Sequence, residues 1–336
     1  MGFIKAVFEL LVTAGVFHFA TFAIGMIPLI YFEKWRDLKR QQTDTPYNRE
    51  LNRPRGILNK SAEFVFKYMS SFGMGMLLGT SFMLVIPEGV YSVLDSRGNI
   101  GFNLLFGFIV VYLLDSLLVH KMVGSSAEFN NGSTGPQFEE NNDFSGSVVS
   151  AGVTLRSVWD CINIFKTGPI ILQNNVVFAL VIHGLSDGVS LGAAATTESL
   201  KFVMYVAIII HKIPAVLSLS TLMISKQKLS YYEVVTNLWA FALSTPLGYI
   251  LIASFCMSVK GTSFMGPVAA NLLLISGGSL LYAAFTAFSH NTVENDDDDG
   301  EEDGAGQESE DTHRKNVLSL VVGAAIPAIV SFLIKE

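Results

Sequence analysis

Apolar runs of roughly 20 residues, each long enough to cross the hydrocarbon core of a bilayer as a helix, recur along most of this chain. They cover 6–32, 67–91, 101–121, 176–199, 201–225, 233–259, 263–289 and 316–334. In lipid each backbone N–H and C=O must find its partner inside the protein, and a helix satisfies them within its own segment. The sequence therefore predicts an all-α fold, a polytopic membrane protein with eight transmembrane helices. Only 15% of the residues are charged, against the quarter or so that a soluble domain carries. The first run is too long for a signal-peptide core, and basic residues follow it rather than precede it, so it reads as a retained helix. The fourth, with His183, Asp187 and a second half rich in glycine and alanine, is the least apolar. That composition suits a helix facing protein instead of lipid.

Lys and Arg placement sets the expected orientation. The 33–66 connection holds Lys34, Arg36, Lys39, Arg40, Arg49, Arg53, Arg55 and Lys60. Alternating from there, the connections after the first, third, fifth and seventh spans share one side. That side collects every basic residue except Lys5, Arg97, Lys201, Lys260, Lys335 and the intramembrane Lys212. Both termini are expected to face the lumen or the exterior. Residues 1–121 then form the first three helices with a basic cytoplasmic loop, and 173–225 the fourth and fifth. Residues 226–336 form the last three.

Two long connections read as solvated. Residues 122–172 hold Asn130-Asn131-Gly132, Gly135-Pro136 and Asn141-Asn142 with only a weak apolar patch, a composition that predicts a flexible cytoplasmic loop. Residues 291–315 carry Asp296 to Asp299 and then Glu301, Glu302 and Asp303. Such a tract is a self-repelling loop or a weak sponge for hard divalent ions. It also supplies most of the net charge of −7. No basic stripe with interleaved aromatics is present, so nucleic acid is not an expected partner. Cys161 and Cys256 have no ligand spacing and read as packing residues. The triplets at Asn59 and Asn131 fall on the predicted cytoplasmic side and should carry no glycan.

Ionisable groups inside a bilayer are costly unless paired or solvated, so each is a functional candidate. His183 and Asp187 stand at i and i+4, on one helical face and one turn apart. On the next span His211 precedes Lys212, Ile213 and Pro214. The proline withholds a backbone hydrogen bond and is expected to kink that helix near His211. Gly184, Gly188 and Gly192 remove side-chain bulk, which should let the fourth and fifth helices approach closely. An imidazole pair and one carboxylate converging near mid-membrane would hold a divalent ion with coordination positions left open. His18 and His120 read more simply as packing residues.

These motifs resemble the ZIP (Zrt-, Irt-like) metal transporter family. The matching residues are His183-Gly184-Leu185-Ser186-Asp187-Gly188 on the fourth span and His211-Lys212-Ile213-Pro214-Ala215 on the fifth. In the same order come Gly79-Thr80 and Ile86-Pro87-Glu88-Gly89 on the second span, Ser244-Thr245-Pro246 on the sixth, and Ser276-Gly277-Gly278 on the seventh. The Asp and His-Lys-x-Pro-Ala forms are similar to the Golgi-located zinc and manganese branch. The resemblance implies a 3+2+3 helix arrangement, frequent homodimers, and transport of divalent metal toward the cytosol. It also implies that His183, Asp187 and His211 are the transport-site ligands. Many members have a second ion held by acidic residues where this chain has Lys212 and Ala215. An ammonium repels a second cation, so a single ion is expected, with Lys212 paired to Asp187 when the site is empty. Glu88 and Asp115 are candidate pathway carboxylates, and ligation by His290 is not expected. The divalent ion is cargo, and no cofactor or enzymatic activity is expected. No G-x-x-x-x-G-K-[ST] loop is present, so transport would be passive or gradient-coupled. A metal-regulated receptor or scaffold without flux, and an intramembrane zinc hydrolase, are the alternative classes.

Overall fold

Each of the apolar runs forms a helix. The computed structural model describes residues 2–43, 57–94, 98–129, 148–150, 153–155, 161, 163–194, 198–258, 265–296 and 306–335. Helix α1 spans Gly2–Thr43 and α2 spans Ile57–Thr80. A π-helical turn, Ser81–Val85, leads on into α3, Ile86–Val93. Then follow α4 (Ile100–Phe129), α5 (Ile164–Gln173), α6 (Asn175–Ala194), α7 (Glu198–Ser225), α8 (Tyr231–Ser258), α9 (Met265–Asp296) and α10 (Gly306–Lys335). Among the described residues, 8 helical stretches are long and apolar enough to cross a membrane. The second of them runs continuously from α2 through α3, and the fourth is α6.

The π turn has a local cause. Pro87 has no N–H to give to the carbonyl one turn back, and the ladder shifts register just before it. The Ile86 N–H bonds the Ser81 oxygen, five residues back. Such bulges re-aim the side chains that follow, here Glu88.

The stretch expected to be a structureless loop, 122–172, is partly ordered. Helix α4 continues to Phe129, and strands β1 (Val148–Ser150) and β2 (Val153–Leu155) pair as an antiparallel hairpin. Helix α5 then packs against α6 and α8, with Ile170 buried. The β-branched residues Val148, Val149, Val153 and Thr154 suit the extended hairpin, and α5 gains from the burial of Ile170. Cys161 is buried beside the Tyr232 carbonyl in the main core, as a packing residue. The acidic tract after Asp296 lies outside the described residues. The fourth helix ends at Ala194, and Ser199 already belongs to α7.

Burial separates the spans. In α6, 72% of the span is buried inside the protein, against 11% in α10, as expected for a helix facing protein. Its glycine stripe, however, does not face the fifth span. A Cβ on Gly184 would run into the Ser244 side chain, and one on Gly188 into the Thr245 oxygen and Tyr249 nitrogen. On Gly192 it would meet the backbone of Tyr249 and Ala253. The partner is α8, the sixth span, whose own Gly248 sits against the Leu185 oxygen. Helix α9 covers another side of α6, while α7 leans mainly on α2 and α1. What ties α6 to α7 is polar. Asn174 and Gln227 exchange amide hydrogen bonds of 2.7 and 3.1 Å, and Asn174 also caps α6 through the Val177 N–H. Ser230 and Glu233 form a capping box that starts α8.

Because the groups facing Gly188 are backbone atoms that cannot rotate away, Gly188→Ala should cost about 1–3 kcal/mol in overpacking. Thermal unfolding in detergent micelles should show a lowered Tm. Gly15→Ala, where the added carbon meets nothing within 4 Å, should leave Tm unchanged.

Candidate metal site

Helix geometry brings His183 and Asp187 to one face of α6, and α7 delivers His211 to the same point. The His183 Nε2 lies 3.4 Å from the Asp187 Oδ2. The His211 Nε2 lies 3.2 Å from that same oxygen. The two imidazole rings are tilted, with centroids 5.9 Å apart. One ligand atom from each of the three residues falls within 4.8 Å of the others, and all three side chains are buried. Two ring nitrogens and a carboxylate oxygen facing a common point have room between them for one divalent ion.

A fully buried carboxylate would be far too costly without donors around it. Asp187 has them. The Ser276 hydroxyl on α9 donates to its Oδ1, and the His211 Nε2 is within hydrogen-bond reach of its Oδ2. The same Ser276 Oγ stands 2.7 Å from the His183 Nδ1, and the Ser276 carbonyl oxygen stands 3.1 Å from it.

Glu88 belongs to this neighbourhood. Its Oε2 is 3.6 Å from the His211 Nδ1, beyond hydrogen-bond length, and its side chain is 21% exposed. It lines a cavity of about 410 Å³ together with Met83, Pro87, Tyr91, Val206 and Ile210. Glu88 thus stands between that cavity and the buried histidine.

Asp115 is not brought to the triad. It is buried on α4, where its Oδ2 accepts the Tyr282 hydroxyl of α9. Tyr282 follows Ser276 by six residues, so this pair sits roughly 9 Å further along the helix, at 1.5 Å per residue.

Lys212 corrects the sequence reading. It is not paired with Asp187. Its Nζ donates to the Thr245 Oγ1 at 2.6 Å and lies 4.5 Å from the centre of the Phe241 ring. Thr245 in turn donates to the Gly184 carbonyl at 2.8 Å. Successive residues on a helix point about 100° apart. With His211 directed at Asp187, its neighbour Lys212 therefore turns toward α8. The fifth span passes through Pro214 as a continuous helix.

Ser276 and Thr245 belong to the site too. Both stand in motifs that carry the family resemblance, but a hydroxyl in an apolar run usually bonds its own helix, so the sequence assigns neither a place at the site. His18 packs edge-on to Trp239 at 4.3 Å and stays a packing residue. The side chains of His120 and His290 lie outside the described residues.

The chain as a whole is similar to known proteins. A family model described as ZIP Zinc transporter matches residues 8–156 and 166–331. Zinc transporter ZIP9 of Xenopus tropicalis is 23% identical over 291 residues, covering 80% of this chain and 88% of the relative. Zinc transporter ZIP9 of Micropogonias undulatus is 24% identical over 315 residues, with 80% and 89% covered. Protein zntD of Dictyostelium discoideum is 30% identical over 143 residues, 42% of this chain and 20% of that one.

Thr245→Val removes the oxygen that receives the buried Lys212 ammonium while keeping the shape. Leaving that donor without its acceptor should cost about 1–3 kcal/mol, read as a lower Tm, and Thr245→Ser should recover most of the loss.

Proposed function

The chain belongs to the ZIP zinc transporter family, and from that premise we propose that it carries zinc or manganese across a Golgi membrane toward the cytosol, one ion at a time. Metal-ion transport, without enzymatic activity, follows from the family itself. The single observation that carries the finer reading is the buried convergence of the His183, Asp187 and His211 ligand atoms within 4.8 Å of one another. These three residues are the ligands of the transported ion. Two nitrogens and one oxygen suit zinc, and the curated ZIP9 relatives are named zinc transporters. Geometry and supply also decide which metal is carried, and the carboxylate of Glu88 beside His211 keeps manganese in the proposal.

One ion is favoured over two by Lys212. Held by Thr245 on one side of the triad, a charged ammonium offers no lone pair and repels a second cation. Glu88 offsets part of the charge of the first ion and lies on its route in from the cavity. Asp115 with Tyr282 lies on the route out. Both termini face the lumen, the helices group as 3+2+3, and the molecule works as a homodimer; the placement of Lys and Arg supports the first of these, and the family resemblance the other two. The acidic residues from Asp296 to Asp303 lie on the cytoplasmic side in this reading, where they gather hard divalent ions on release.

The reading is tested with the full chain reconstituted in liposomes, following zinc and manganese uptake separately. Unsubstituted protein should take up at least one of the two, and His183→Ala should fall to the level of protein-free vesicles. Uptake that survives His183→Ala would remove the triad from the pathway. Absence of flux for either metal, with folded protein, would favour a metal-regulated receptor. A second outcome concerns the route: Glu88→Gln should slow uptake at low metal concentration by about tenfold, the effect of ~1.4 kcal/mol, and less at saturating metal.

A further inference from the structure

Buried hydroxyls in this protein mostly bond the carbonyl of their own helix. Ser190 bonds the Ser186 oxygen at 3.0 Å, Ser279 the Ser276 oxygen at 2.7 Å, and Ser244 the Phe241 oxygen at 2.7 Å. Ser276 does otherwise. It is wholly buried, and its hydroxyl leaves α9 to touch both ligand residues of α6 at once.

A serine hydroxyl has one hydrogen and two lone pairs, and an ionised carboxylate can only accept. The hydrogen of Ser276 therefore goes to the Asp187 Oδ1, its shortest partner; the His183 carbonyl oxygen is further away, at 3.3 Å. With its hydrogen spent there, the Ser276 Oγ can only accept from the His183 Nδ1. The Ser276 carbonyl, 3.1 Å from the same nitrogen, is also an acceptor. Both neighbours demand that His183 carry its hydrogen on Nδ1. In the neutral ring the Nε2 is then a bare lone pair, facing the Asp187 Oδ2 at 3.4 Å. Two acceptors held face to face without a hydrogen between them form a gap that a cation fills.

We propose that Ser276 is a positioning residue for transport, which fixes the ring nitrogen of His183 and the carboxylate oxygen of Asp187 that are presented to the ion. It does not ligate the metal. It acts through the two residues of α6, as the outer hydrogen-bond partners of metal-bound histidines do. It also makes the seventh span a participant in metal binding, through a side chain anchored on a different helix from the ligands. This inference rests on the reading of His183, Asp187 and His211 as the transport ligands.

Zinc uptake into liposomes, measured against zinc concentration, separates the two ideas. Ser276→Ala should raise KM about ten- to hundredfold, the range for lost outer partners of metal ligands, with a smaller fall in maximal rate. Ser276→Thr, which keeps the hydroxyl, should restore KM, and Ser190→Ala should leave it unchanged as the control for losing a buried hydroxyl. A Ser276→Ala protein whose KM stays within twofold of the unsubstituted chain overturns the proposal. If at the same time His183→Ala abolishes uptake, the ligand reading survives. If His183→Ala transports normally, the ligand reading has failed first. Nitrogen-15 NMR of the unsubstituted, metal-free chain with labelled histidine gives a test that needs no Ser276 variant. His183, assigned by its loss in His183→Ala, should carry its hydrogen on Nδ1, and a hydrogen on Nε2 overturns the proposal.

Discussion

The burial of one carboxylate organises the centre of this molecule. Asp187 sits within the membrane-spanning region without access to solvent, where an unpaired charge is costly and tolerated only with partners. Its partners come from three helices: His183 on its own α6, His211 on α7 and Ser276 on α9. Each of those helices must be held at the right depth and rotation, or the carboxylate loses a partner. The rest of the packing can be understood as what secures that arrangement.

Backbone approach is the first means. The small residues of α6 let α8 come so near that a single added carbon would overlap backbone atoms, which locks the register between the two. The same device joins α4 to α9 through Gly107 and Gly278, and α2 to α10 through Gly75, Gly79 and Gly323. In lipid, where there is no hydrophobic drive for helices to associate, such contacts with van der Waals fit are what hold helices together. Polar ties then fix the ends. The Asn174–Gln227 amide pair sets the start of α6 against the end of α7, and the Lys212–Thr245–Gly184 chain stitches α7, α8 and α6 just beside the triad.

Much of this was legible in the sequence because lipid simplifies the code. Length and hydropathy place the spans to within a few residues, and the i, i+4 spacing of His183 and Asp187 fixes a shared face whatever surrounds it. Partner choice is different in kind. The stripe Gly184, Gly188, Gly192 announces a close neighbour without naming it, and adjacency in sequence suggested α7 where the structure has α8. Lys212 shows the same limit: charge alone pairs it with Asp187, but its position one residue past His211 turns it to Thr245. Ser276 was hidden for a third reason. A serine among glycines looks the same whether its hydroxyl bonds its own helix or reaches across to another. The weak apolar patch after residue 145 is short and gives little periodicity, yet its β-branched residues pair as a hairpin and its isoleucines place α5 against the bundle.

The placement of Lys212 bears on how a carrier can be stable both empty and loaded. Had the ammonium been bound to Asp187, an arriving ion would have to break that pair and leave a buried positive charge with no partner. Held instead by Thr245 and the face of Phe241, Lys212 keeps its contacts whichever state the triad is in, so its own desolvation cost cancels between the two. If the triad holds the ion as proposed, what changes on loading is confined to the gap around the Asp187 Oδ2, and the Lys212 contacts lie outside that gap. A site arranged this way needs little rearrangement to accept its ion. On the proposed reading, three ligands beside a positive charge also limit how tightly the ion is held, which suits a carrier that must release its cargo.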